Sequence, residues 1–229
     1  MTSVFALIIA PHPDDAEIGA GGTIARWIRE SREVVYVVCT DGGKGTRDRD
    51  LTSEDLAAIR KREQLNAAET LGVSDVIFLN YPDQELEDTA EFRRNLVREI
   101  RRYKPEVVVT TDPYRRYIYH RDHRITGQVV LDAVFPAART HLSYPELLVQ
   151  GFEPHRVREM LFFGAEKINY RVDITDTFDA KIKALKCHRS QYNEDDSPSW
   201  FEWIRKRDQG MAEDESYELA EAFYRVKIR

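Results

Sequence analysis

The sequence predicts an α/β fold: a Rossmann-like three-layer sandwich with a mostly parallel central sheet, plus a helical C-terminal extension. Three observations carry this expectation. Short, continuous apolar runs rich in β-branched residues recur at Val4–Ala10, Val34–Cys39, Val76–Leu79 and Val107–Thr111. Such runs mark strands buried on both faces. Stretches of helical periodicity separate them, and β-α repetition with right-handed crossovers builds a parallel sheet covered by helices. Finally, the chain has 229 residues, 42 % hydrophobic and 32 % charged, enough to bury one large core and polar enough to be globular.

The elements follow in order. Val4–Ala10 runs straight into Pro11-His12-Pro13-Asp14-Asp15-Ala16-Glu17. Its two prolines lock φ and keep their predecessors out of helix, so this is a shaped strand-to-helix turn. Ile18 to Glu30 has helical spacing, with Ile18, Ile24, Trp27 and Ile28 as the apolar stripe. The strand Val34–Cys39 ends at a glycine-rich loop, Thr40-Asp41-Gly42-Gly43-Lys44-Gly45-Thr46. Ser53 to Leu71 reads as a helix capped by Ser53, with Leu56, Ile59, Leu65, Ala68 and Leu71 apolar and Gly72 closing it. The strand Val76–Leu79 leads to the loop Asn80-Tyr81-Pro82-Asp83, and a basic amphipathic helix covers Phe92 to Tyr103 until Lys104-Pro105 ends it.

After Val107–Thr111 a long loop spans Asp112 to Asp122, and a helix runs from His123 to Phe135. The pattern loosens over 136–175, where Glu159–Phe163 and Tyr170–Ile174 read as strands, and Phe178 to Tyr192 reads as a helix. A polar break at 193–198 precedes two amphipathic helical stretches, with Trp200, Trp203 and Ile204, then Leu219, Phe223 and Tyr224, packing down. This divides the chain into a domain over 1–192 and a helical extension over 193–229 packed on it.

Bulk properties narrow the function classes. Net charge is −6, from 34 basic and 40 acidic residues, which argues against broad nucleic-acid or anionic-membrane binding. No apolar run reaches the length of a membrane span. The first apolar run lacks a preceding basic segment, so it reads as a core strand and not a signal peptide. Cys39 and Cys187 lie far apart, Cys39 at the end of an apolar run. Free thiols fit a cytoplasmic protein better than a disulfide does.

The chemistry concentrates at strand ends, where open α/β sheets bind ligands. His12 and Asp15, three apart in the first turn, suit one zinc ion, and Asp14 between them is placed to take a proton from a metal-bound water. A plainer reading has Asp14 or Asp15 capping the following helix. The stretch Tyr119-His120-Arg121-Asp122-His123 follows the fourth strand, at the same sheet end. His123 would be a third ligand, leaving a position for water as catalytic zinc requires. Asp122 would orient a histidine by accepting its second ring N–H, and His120 would face the substrate. Here too a plainer reading has both histidines capping a helix. Gly19-Ala20-Gly21-Gly22 lacks the spacing of a dinucleotide fingerprint and reads as small-residue helix packing. Tyr114, Arg115, Arg116, Tyr117 and Tyr119 line either a sugar or anion pocket or a solvated loop. His141 and His155 read as ordinary loop histidines.

Ala10-Pro11-His12-Pro13-Asp14-Asp15-Ala16-Glu17 and His120-Arg121-Asp122-His123 together resemble the paired motifs of the LmbE-like (PIG-L) family of zinc-dependent N-acetylglucosaminyl deacetylases. Arg121 stands where family members usually have proline. The glycine-rich loop at 40–45, Arg60-Lys61-Arg62-Glu63 with Leu71-Gly72-Val73, Tyr81-Pro82-Asp83, and His188 with Gln191 are similar to further family stretches. The likeness covers roughly residues 4–192 and fades after 136. It implies one Zn²⁺ per chain held by His12, Asp15 and His123, with Asp14 as general base. It implies His120 as oxyanion stabiliser or acid, and Arg60 and Asp83 as substrate contacts, Arg60 otherwise pairing with Glu63 on the helix surface. The reaction implied is removal of acetyl from an N-acetylglucosamine moiety of a small glycoside or oligosaccharide, in a trimer or hexamer. An amidase of the same fold for a bulkier acyl group is the alternative, and a metal-free carbohydrate- or nucleotide-binding protein the third reading.

Overall fold

The computed structural model describes residues 3–192 and 197–228, apart from the side chains of 197 and 198. The strands are β1 (Ala6–Ala10), β2 (Val34–Thr40), β3 (Asp75–Tyr81), β4 (Val107–Thr111), β5 (Glu159–Phe163), β6 (Tyr170–Asp173) and β7 (Ala220–Lys227). The helices are α1 (Asp15–Arg29), α2 (Ser53–Leu71), α3 (Ala90–Tyr103), α4 (Arg121–Val134), the short α5 (Pro145–Val149), α6 (Phe178–Leu185) and α7 (Ser197–Met211). One sheet has the order β3-β2-β1-β4-β5-β7-β6. Its first five strands are parallel, and β7 runs antiparallel to both β5 and β6.

Alternation along β1 divides the core in two. Ala6, Ile8 and Ala10 face α1, α2, α6 and α7, meeting Ile24, Ala68, Leu185 and Ile204. Leu7 and Ile9 face α3 and α4, meeting Phe92, Leu96, Val129 and Val130. The period-2 geometry of a strand makes this division, and burial on both sides is why the strands read as unbroken apolar runs. Glycines let α1 approach the sheet and α6 closely. A Cβ on Gly22 would lie 2.7 Å from Ile174 Cβ, and one on Gly19 2.5 Å from the Phe163 ring. That is the helix packing expected of the Gly19–Gly22 stretch. Among the described residues no helix is long and apolar enough to cross a membrane.

Four expectations are corrected. The helix expected over 178–192 ends at Leu185, and the chain continues in tight turns that return Tyr192 to the sheet end. The second C-terminal helix is instead β7. The Leu-Ala-Glu-Ala composition favours helix locally, but β5 needs a partner, and Met160–Val226 and Phe162–Tyr224 pairing supplies it. The C-terminal segment is therefore helix plus sheet strand, not a helical extension. Trp203 and Tyr224 are 53 % and 41 % exposed, whereas Ile204, Leu219 and Phe223 do pack down. The cap of α2 is Thr52, whose hydroxyl accepts from the Asp55 amide, and not Ser53. Most of the polar break expected at 193–198 lies outside the described residues.

Candidate metal centre

Four strand ends converge on one cluster. β1 delivers His12, Asp14 and Asp15; β2 the loop 41–46; β3 Asp83; and β4, through the loop 112–119, His120, Asp122 and His123. β1 and β4 are neighbours from which the strand order runs in opposite directions, so this is the topological switch point of the sheet.

Asp15 Oδ2 lies 3.1 Å from His12 Nδ1 and 3.2 Å from His123 Nε2. Zinc ligands sit about 2.0–2.2 Å from the ion, so tetrahedral partners lie roughly 3.3 Å apart. The spacing and the donor set, two imidazoles and a carboxylate, fit a zinc ion. On its other edge, His12 Nε2 lies 3.1 Å from both Asp122 Oδ2 and Asp83 Oδ1. His12, Asp83, His120 and Asp122 thus form a second convergent group of potential ligands sharing His12.

Other bonds distinguish the two groups. Asp122 is fully buried, and its carboxylate also accepts the amides of Gln84 (2.7 Å) and Leu86 (3.2 Å). It therefore fixes the loop after β3 and the ring of His12 together, as expected of an orienting carboxylate. His120 Nδ1 accepts the Asp122 amide at 3.2 Å, at the N-terminus of α4. The capping reading of His120 is thus realised through one nitrogen, which leaves Nε2 as the proton-bearing edge.

Asp14 occupies the N-cap position of α1, yet its side chain makes no capping bond. Its backbone is left-handed, at φ 96°, which Asp tolerates better than most residues. The turn so formed points the carboxylate away from the helix. There Oδ2 accepts from Tyr192 Oη (3.2 Å) and Arg60 Nη2 (3.3 Å), while the Asp14 amide donates to Gln64 Oε1 (2.9 Å). Gln64 Nε2 in turn donates to buried Glu17 Oε1 at 2.9 Å. Arg60 is buried and also donates to Pro13 O and Gly42 O. The glycine-rich loop wraps this guanidinium: a Cβ on Gly42 would lie 2.7 Å from Nη1, and one on Gly45 2.9 Å. The surface pairing of Arg60 with Glu63 is not made, since Glu63 accepts the amide and hydroxyl of Ser190 instead.

Electrostatics follow from burial and proximity. Burial raises the Asp14 pKa, opposed by the nearby Arg60 charge. Burial works the same way on Asp15, but the His123 charge and the His12 bond override it and hold the carboxyl far below its ordinary range. Asp83 falls to about 2: burial is overridden by the His12 bond and charge and the Lys44 amide. Burial would lower His12, yet acceptance by Asp122, Asp15 and Asp83 keeps its pKa well above the usual value. His120 is lowered by burial and by the adjacent His12 and His123 charges.

Every site residue expected from sequence lies in this cluster. Two contributors were not anticipated, Tyr192 and Gln64; Glu17, which ends the first motif, and His188, singled out with Gln191, meet in a fully buried position with His188 Nε2 3.4 Å from Glu17 Oε2. Gln64 carried a readable signal, standing one turn after Arg60 on the same helix face. Tyr192 carried none, because the helix expected there would not have turned it toward Asp14. The rim is formed by the loop after β4, where Tyr114, Tyr117 and Ile118 are exposed. Tyr119 points inward, bonding Thr111 Oγ1 and stacking edge-on with His123.

Comparison with known proteins agrees with this geometry. A family model described as PIG-L: GlcNAc-PI de-N-acetylase matches residues 7–134. The diacetylchitobiose deacetylase of Thermococcus kodakarensis is 38 % identical over 199 residues, 87 % of this chain and 74 % of that protein. A probable N-acetyl-alpha-D-glucosaminyl L-malate deacetylase 2 of Bacillus subtilis is 30 % identical over 190 residues, 81 % of this chain and 82 % of that protein. Among solved structures, N,N'-diacetylchitobiose deacetylase from Pyrococcus horikoshii, complexed with its inhibitor MPG, is similar with a TM-score of 0.93 at 35 % identity. It covers 98 % of this chain and 84 % of its own.

Proposed function

This chain belongs to the PIG-L (GlcNAc-PI de-N-acetylase) family, and on that premise we propose that it is a zinc-dependent N-deacetylase. It hydrolyses the acetamide of an N-acetylglucosamine moiety on a small glycoside or oligosaccharide. The observation that carries the reading is Asp15 Oδ2 set between His12 and His123 at 3.1 and 3.2 Å, with Asp14 beside them. His12 Nδ1, Asp15 Oδ2 and His123 Nε2 would hold one zinc per chain. The second group serves that site, since Asp122 is already committed to two amides and to the far edge of His12.

When bound, such an ion supplies polarisation of the acetyl carbonyl and acidification of water. Asp14 accepts the proton of the attacking water, with Tyr192 and Arg60 fixing the carboxylate in line. His120 Nε2–H donates to the tetrahedral oxyanion; donors of this kind are worth about 10²–10³ in rate. Asp14, now protonated, is the acid for the departing amine. Acetate and a free amino sugar result. Asp83 Oδ1 is buried against His12 Nε2 at 3.1 Å and Oδ2 accepts the Lys44 amide at 3.0 Å, so Asp83 is assigned to the substrate through His12 and the glycine-rich loop. Arg60, with its Nη atoms spent on Pro13, Gly42 and Asp14, is assigned to the substrate through Asp14.

Residues 1–192 and the segment from 193 onward form one catalytic unit in this reading, supported by the place of β7 between β5 and β6. Assembly as a homo-oligomer, trimer or hexamer, and a cytoplasmic setting with both cysteines free belong to it as well. The test is acetate release from a panel of N-acetylated sugars, diacetylchitobiose and monomeric N-acetylglucosamine included, with and without chelator. Acetate release abolished by chelator and restored by about one zinc per chain is expected. Turnover that survives complete metal removal would refute the reading.

A further inference from the structure

A second charged concavity lies on the other side of the turn that carries Tyr192. Arg62 and Glu63 of α2 face Lys183, Lys186, Cys187 and Arg189, from the end of α6 and the turn after it, across a cleft of about 520 Å³. Four cations share this cleft with one carboxylate. That carboxylate is already engaged: Glu63 accepts the Ser190 amide at 2.8 Å and the Ser190 hydroxyl at 2.6 Å. Among the described residues, no ion pair or hydrogen bond occupies the side-chain nitrogens of Arg62, Lys183, Lys186 or Arg189. Lys186 only lies 5.5 Å over the Phe201 ring. In a chain of net charge −6, this is a local excess of three positive charges in one concave surface.

We propose that this cleft is an effector site for a small phosphate-bearing anion, either free phosphate or a sugar phosphomonoester. Two guanidinium forks and two ammonium groups match a compact, many-oxygen dianion, because arginine binds such oxygens in pairs and lysine acts as a point charge. The volume suits a small molecule. A nucleic acid needs an extended basic stripe, whereas these cations are confined to one pocket. The cleft also has a route to the metal centre. The turn 186–192 presents Lys186 and Arg189 to it. The same turn anchors Ser190 on Glu63, donates from Gln191 Nε2 to Gly45 O at 3.1 Å, and sets Tyr192 Oη 3.2 Å from Asp14 Oδ2. An anion drawing Arg189 and Lys186 toward Arg62 clamps this turn to α2, and with it the hydroxyl that holds Asp14.

The experiment is calorimetric titration of the zinc-loaded protein with inorganic phosphate and, separately, with glucosamine 6-phosphate, at two NaCl concentrations. Saturable binding of one anion per chain is expected, weaker at the higher salt. It should also be about tenfold or more weaker in Arg62→Glu and in Lys183→Glu/Arg189→Glu, since each removes charge-assisted contacts. Both variants alter exposed side chains, and their melting temperatures verify folding. Tighter binding of the sugar phosphate identifies a phosphomonoester as the effector; equal affinity identifies free phosphate. In either case kcat for acetate release changes at saturating anion in the wild type and not in the variants. Absence of binding, or binding equal in wild type and both variants, would place the anion elsewhere and overturn the site. A wild-type kcat indifferent to saturation would overturn the coupling. The binding readouts use neither the metal ligands nor the reaction, and the kcat readout alone rests on the deacetylase reading, so failure of binding here leaves that reading standing.

Discussion

Replacing Asp14 by Asn separates two things that this residue does: it turns the backbone and it supplies a carboxylate. Its φ of 96° lies in the left-handed region, which costs ordinary L-residues about 1–2 kcal/mol and Asn less. Asp14→Asn therefore keeps the turn. Its amide oxygen still accepts from Tyr192 Oη and Arg60 Nη2, and its backbone amide still reaches Gln64. What disappears is proton acceptance, a loss of about 10²–10⁴ in kcat, or about 3–5 kcal/mol of barrier. Asp14→Ala would add the backbone cost and so mix instability with lost chemistry. The assay is initial-rate acetate release from diacetylchitobiose by protein verified to carry zinc, with melting temperature measured alongside. Near-native melting, near-native KM and a kcat lowered by about 10²–10⁴ are expected. A zinc-loaded Asn variant retaining more than about a tenth of wild-type kcat would show that Asp14 is not the base.

Asp122→Asn leaves an amide where three N–H groups converge, so it should weaken zinc affinity about 10–100-fold and lower stability by about 1–3 kcal/mol. Competition with a chromogenic chelator checks the first, and wild-type affinity would remove Asp122 from its orienting role. Far from the chemistry, Lys181 Nζ lies 2.8 Å from Asp208 Oδ2 and 2.6 Å from Glu221 Oε1, all three buried. Lys181→Met strands two carboxylates without their shared cation and should cost about 3–5 kcal/mol in chemical denaturation; a loss below about 1 kcal/mol would contradict that.

Local physics made much of this protein readable from its residues. The apolar runs of β1, β2 and β4 are buried on both faces, so no alternation was needed to find them. Gly72, at φ 87°, closes α2 because a left-handed stop has few other solutions. Pro11 and Pro13 set the shape of the turn that carries His12, Asp14 and Asp15, and the spacing of those three offered a metal site beside a plain helix-capping turn. The resemblance joined that turn to His120-Arg121-Asp122-His123.

Where competing segments bid for one place, only the tertiary structure decided. The Ala- and Glu-containing stretch after Leu219 prefers helix in isolation, yet becomes β7 because β5 and β6 both offer unpaired backbone groups. That choice buries Glu221 and makes Lys181 its counter-ion. The early stop of α6 likewise brings Tyr192 to Asp14 across 178 positions of chain. Such contacts are set by which strands neighbour one another, and that ordering is a property of the assembled sheet. Residue types and spacing marked the candidate metal site; long-range packing determined which side chains hold Asp14 in place.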